Sequence, residues 1–113
     1  MDNELRYRDV VKRGLTQHRD FSNRQAKDNI ESVCVFDDHA GQYLLVRTGW
    51  EGKRRFRQIV LHVRVQNGKI WIETDDTEEG FATELLKAGV PNSDIVLAFH
   101  PPHLRQYTDF AVS

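Results

Sequence analysis

The sequence predicts an α+β fold with an N-terminal helix, a four-stranded antiparallel meander, a second helix, a short fifth strand and an extended C-terminal tail. Three observations carry this expectation. Apolar spacing changes from helical to alternating at Ile30. Asn67-Gly68 stands between two apolar runs, a strong hairpin signal because a type I′ turn needs positive φ at both central positions. Gly89 followed by Pro91 closes a second helical stretch, since glycine takes the left-handed position and proline prevents continuation.

The first helix is expected from about Asn3 to Asp20. Tyr7, Val10, Val11, Leu15 and His18 fall on one side of it. Asp2 or Asn3 can cap it, and Glu4 suits the positive end of the dipole. Gly14 lies on the apolar side; glycine costs a helix about 1 kcal/mol relative to alanine, so it marks a close approach to another element. The polar, irregular stretch from Phe21 to Asn29 reads as a loop.

Ile30 to Asp37 is the first strand, followed by a turn at Asp38-His39-Ala40-Gly41. Gln42 to Trp50 is the second, Arg54 to Gln66 the third and Lys69 to Thr74 the fourth. The second helix is expected from Thr77 to Ala88, capped by Asp75, Asp76 or Thr77, with Asp76 and Glu79 at capping-box spacing. Phe81, Ala82, Leu85 and Leu86 supply its buried side. Ile95 to Phe99 is a short buried strand, ended by Pro101-Pro102, and Tyr107, Phe110 and Val112 pack the tail.

Alternation divides the sheet into two faces. Ile59, Leu61, Val63 and Val65 share one, and Phe56, Val60 and His62 the other; Tyr43 and Leu45 oppose Leu44, Val46 and Trp50, and Ile70 and Ile72 oppose Trp71. Helices can cover one face. The second is too aromatic to stand wet over its whole area, so either the tail or second helix covers it or it meets a partner. The partner surface is expected at Tyr43, Leu45, Phe56, His62 and Trp71, for another protein or a second copy of the chain.

The 113 residues suit a single domain, and 39% apolar with 29% charged residues describes an ordinary soluble one. Cys34 is the sole cysteine, sits in an apolar run and is expected to pack rather than react. No apolar run approaches the roughly 20 residues of a membrane helix, and the polar start Met1-Asp2-Asn3-Glu4 is not a signal peptide. A reducing cytoplasm and no membrane partner are expected. Net charge is −1, yet residues 47–64 carry six bases against one acid, and residues 65–98 carry two bases against seven acids. A dedicated DNA-binding domain has a clear basic excess, so nucleic acid is expected only indirectly, weakly or through a local patch.

Three clusters have residue types suited to chemistry. His100-Pro101-Pro102-His103 with His62 lacks the helical spacing and the acidic or cysteine ligands of a metal site. Asp75-Asp76-Thr77-Glu78-Glu79 has the carboxylates of a nuclease, but consecutive acids at a helix start are accounted for by the dipole. Lys53-Arg54-Arg55-Phe56-Arg57 lies on a hairpin tip, and with Arg47 and Trp50 nearby it suits a phosphate backbone, an acidic partner or the chain's own acidic segment. No nucleophile elbow, phosphate-binding glycine loop or dinucleotide fingerprint is present. Catalytic residues, metal and cofactor are therefore expected to be none. A metal-dependent hydrolase using His62, His100 and His103 is the least supported alternative.

Several blocks resemble the XisI family: Gly68-Lys69-Ile70-Trp71-Ile72, Asp76-Thr77-Glu78-Glu79-Gly80, Gly89-Val90-Pro91, Asp94-Ile95-Val96-Leu97-Ala98-Phe99-His100, and Arg105-Gln106-Tyr107-Thr108-Asp109-Phe110-Ala111-Val112, with Gly49-Trp50 and His62 upstream. The match runs from about Ile30 to the C-terminus, and the first helix fits loosely. The resemblance implies one XisI-like domain over residues 1–113. It also implies an accessory, controlling role in developmentally regulated excision of a DNA element, such as the fdxN element excised during heterocyst differentiation in cyanobacteria. It implies a recombinase context, a XisH-type nuclease-like partner and no catalytic residues.

Overall fold

A computed structural model describes residues 3–26 and 29–113. The expected cap Asp2 and the loop residues Lys27 and Asp28 lie outside them. Helix α1 runs Asn3–Gln25, strands β1 to β4 run Asn29–Asp37, Gln42–Glu51, Arg54–Gln66 and Lys69–Asp75, helix α2 runs Phe81–Lys87, β5 runs Ile95–Leu97 and a single-turn α3 runs Pro102–Arg105. The sheet order is β1-β2-β3-β4-β5; the first four are antiparallel neighbours and β5 pairs parallel to β4. The α+β expectation therefore stands, and α2 is the crossover that a parallel β4–β5 pair needs.

Helix α1 continues five residues past its expected end, through the stretch that reads as a loop. Propensity did not decide this. Asn23 Nδ2 donates to the Ser32 carbonyl at 3.0 Å, Asn23 Oδ1 accepts from the Ser32 amide at 2.8 Å, and the Ser22 and Ser32 hydroxyls meet at 2.8 Å. The polar residues thus hold the outer edge of β1, where backbone groups would otherwise lack partners. Tyr7, Val11 and Leu15 form the buried stripe of α1. Gly14 does mark a close approach: a β-carbon there would sit 2.9 Å from the Phe81 ring.

Helix α2 starts four residues later than expected. The Asp75 carboxylate accepts from the Thr77 amide at 2.9 Å and the Phe81 amide at 2.6 Å, which holds residues 76–80 as a loop; Gly80 stands at the N-cap without a side-chain bond, and the Asp76–Glu79 pair does not cap the helix. Asn67 (φ 56°) and Gly68 (φ 72°) form the left-handed pair expected of the hairpin. The tail departs from an extended path. It makes the α3 turn, and Ala111 N–H donates to the Ile95 carbonyl at 2.8 Å, closing the edge of β5. Phe110 packs on the core, whereas Tyr107 is 79% exposed and Val112 is exposed. Arg105 ties the tail down by donating to the carbonyls of His100, Ala98 and Val112.

The core joins Tyr7, Val11 and Leu15 to Tyr43, Leu45, Leu61, Val63, Val65, Ile70 and Ile72 of the sheet, with Phe81 and Leu85 from α2, Val90 from the loop after it and Ile95 from β5. Both long helices therefore cover the same face. Two irregularities alter the expected faces. Leu45 pairs with Leu61 but Val46 pairs with Ile59, so Val60 is an extra residue in β3. One extra residue reverses the facing of everything beyond it. Ile59 leaves the core face and joins Val46, while Phe56 moves to the helix side opposite Gly49. The second irregularity inserts Glu73 in β4, between the Val63–Ile72 and His62–Thr74 pairs.

Tyr7 links α1 to the turn before β5 by donating its hydroxyl to Asp94. Burial first, then the bond to Asp94 and its negative charge, push the Tyr7 hydroxyl up to about 12. A raised folded value means the neutral tyrosine stabilises the fold fully below its unfolded pKa, about 10, and that contribution is lost as pH rises through about 12. Urea titrations at pH 9 to 12 should show a falling midpoint for the wild type and a shallower fall for Tyr7→Phe. Equal slopes would remove Tyr7 from the alkaline transition.

Candidate interaction surface

The sheet face away from the helices is built from the register. Val35 of β1 pairs with Leu44 of β2, which pairs with His62 of β3; Val33 pairs with Val46, which pairs with Ile59. Paired residues project to the same side, so these side chains form one apolar field across three strands. Val33, Val35 and Ile59 are 39%, 50% and 48% exposed, and Leu44 and Val46 are half-buried. Trp50, 48% exposed, extends the field toward the β2–β3 turn. Neither the tail nor α2 covers it: the tail lies along β5, and α2 lies with α1 on the core side.

Toward β4 the same face is shielded by the chain itself. Arg64 lies over the Trp71 ring at 4.8 Å, its Nε sits 3.1 Å from a Glu73 carboxylate oxygen, and its guanidinium donates to Gln66 at 2.8 Å. The Trp71 indole donates to the Gln66 carbonyl at 3.1 Å, and the His62 ring meets Gln42 Oε1 at 2.7 Å.

The five expected partner residues therefore divide. His62 and Trp71 lie on the open face. Tyr43 and Leu45 are fully buried beneath α1, and the Tyr43 hydroxyl donates to Asp38 at 2.8 Å. Phe56 is on the helix side, with the Arg47 guanidinium over its ring at 5.5 Å. The residues that open the face, Val33, Val35 and Ile59, were not among those expected. Alternation in β1 carries the signal for Val33 and Val35; Ile59 carries none, because only the bulge turns it outward.

The basic cluster also divides. Lys53, Arg54, Arg55 and Arg57 are exposed at the β2–β3 turn and along β3. Arg55 and Arg57 pair with Trp50 and Thr48 on the open face, and Arg54 points to the other side. Arg55 stacks over Trp50 at 5.2 Å and donates to the Gly49 carbonyl at 3.3 Å. Arg47 is half-buried with a buried Nε, so it supports Phe56 rather than facing solvent. Among the described residues, the exposed four join no salt bridge. The acidic loop approaches the stretch through Gln58, which donates to Asp76 at 3.4 Å.

The remaining candidates stay apart. Among the described residues, no three His, Cys, Asp or Glu side chains gather as metal ligands. Cys34 is half-buried against the core, and burial pushes its thiol up, away from a reactive thiolate. No helix of the described residues is long and apolar enough to cross a membrane.

The chain matches the family model for XisI protein over residues 1–112. It belongs to the XisI family. Two crystal structures extend the likeness. A XisI-like protein from Anabaena variabilis is 34% identical, with a TM-score of 0.89 over 97% of this chain and 99% of that one. The fdxN element excision controlling factor XisI from Anabaena variabilis is 38% identical, with a TM-score of 0.85 over 99% of this chain and 100% of that one. No curated relative matches. The family match takes in α1, which on sequence blocks alone fits XisI loosely.

Proposed function

We propose that this XisI-family protein is a non-catalytic controlling factor for excision of a DNA element, acting by binding a XisH-type nuclease-like protein through its open sheet face. The observation that carries the binding role is the apolar field of Val33, Val35, Leu44, Val46 and Ile59, which no other described part of the chain covers. Its apolar centre suits the core of a protein interface. The excision role is supported by the 38% identical relative, which is an fdxN element excision controlling factor.

Mixing the purified protein with a XisH-type protein at micromolar concentration tests this directly. A single earlier-eluting species containing both chains is the expected size-exclusion result. Two unshifted peaks would sink the partner, and a homodimer of this chain alone would reassign the face to a second copy.

A further inference from the structure

Of the exposed cations at the β2–β3 end, Arg55 is held against Trp50 and the Gly49 carbonyl, and among the described residues none of the four joins a salt bridge. Residues 47–58 hold Arg47, Lys53, Arg54, Arg55 and Arg57 against one acid, Glu51, in a chain of net charge −1. Strand β4 reaches only as far as Asp75 opposite Leu61, and Asp76 N–H donates to the Val60 carbonyl. Beyond Val60, β3 therefore has no strand on that side. Cations on a free edge discourage pairing with other strands, but Lys53 lies in the turn and not on that edge.

We propose that Lys53, Arg54, Arg55 and Arg57 form a binding surface for a nucleic-acid phosphodiester backbone, independent of base sequence. The four lie around the tip and on both sides of the sheet: Arg55 and Arg57 on the open face, Arg54 on the other, Lys53 in the turn. From Lys53 to Arg57 an extended chain spans roughly 13 Å, a length over which a duplex presents several phosphates. Three of the four are arginines, whose planar fork suits phosphate oxygens. The stack on Trp50 holds Arg55 in place. A protein surface carries mixed signs and keeps charge out of its centre, whereas four adjacent cations outside any salt bridge fit a uniform polyanion. This surface stands on charge and geometry and does not depend on the XisH-type partner.

Fluorescence anisotropy with labelled 20-mer DNA of arbitrary sequence, duplex and single-stranded, tests it on the full chain without any partner. Four phosphate contacts give a log–log salt slope of about −3.6, so raising NaCl from 50 to 200 mM should weaken duplex binding by roughly 150-fold. Arg54→Gln/Arg55→Gln/Arg57→Gln should reduce affinity at least tenfold and flatten the slope. Arg6→Gln/Arg13→Gln/Lys87→Gln, the same charge change on the exposed helix side, should leave both near wild type. Binding of both DNAs or of either alone supports the surface and names its source. Absence of binding at 50 mM, equal loss in the two triple variants, or labelled polyglutamate binding as tightly as DNA would overturn it, the last in favour of an acidic protein.

Discussion

Gly49→Ala should destabilise the protein more than alanine at any of its other glycines. A β-carbon at Gly49 would sit 1.9 Å from the Asn29 carbonyl oxygen and 2.7 Å from Ile30 Cα, and φ at this glycine is +156°. Every clashing atom is backbone, so no rotamer change relieves the contact. Strand β1 would have to separate from β2 where Asn29 pairs with Trp50 and Ile30 with Gly49, and buried Ile30 would move with it. The expected loss is about 3–5 kcal/mol, a large share of the ~5–15 kcal/mol that holds a domain together. That corresponds to a Tm lower by roughly 15–25 °C. Gly52→Ala is the control, with φ +63° and nothing within 4 Å; it should cost only about 1–2 kcal/mol of backbone strain. A Gly49→Ala protein that melts no earlier than Gly52→Ala would show that β1 can shift without cost.

The largest functional effect should come from Val35→Asp combined with Ile59→Asp. Both side chains are about half exposed on the open face, so their replacement should leave the fold intact, at a cost of about 1 kcal/mol or less each from lower strand propensity. At the centre of an apolar interface each charge would be desolvated without a partner. Two such positions, at about 2 kcal/mol or more each, should weaken the complex with the XisH-type protein at least 100-fold by titration calorimetry. Unchanged affinity with an unchanged melting curve would move the interface elsewhere. Substitutions at Tyr43 or Leu45 cannot serve as this test: both lie in the core, and their loss would be read as unfolding.

Much of the fold was legible because its signals are local. Arg54–Gln66 falls where expected, as does the Asn67-Gly68 turn, since alternation and left-handed turn residues act within a few positions. The apolar stripe of α1 and the close approach at Gly14 were readable for the same reason. The candidate surface was legible only in kind. An apolar second face was expected and is present, but three of its five expected residues lie on the core side.

The sequence by itself determined the order of the elements up to β5, the antiparallel hairpins, the buried stripe of α1, Phe81 and Leu85 as the buried side of α2 and the presence of a basic turn; Leu86, expected with them, is 43% exposed. Tertiary structure decided the rest. It extended α1 because Asn23 and Ser22 bond to Ser32 of a strand remote from the helix start. It delayed α2 because Asp75 gathers the amides ahead of it. Above all it decided which residues face outward. The extra residue Val60 reverses β3 between Leu61 and Ile59, and a bulge is set by pairing with the neighbouring strand, which alternation along one strand does not encode.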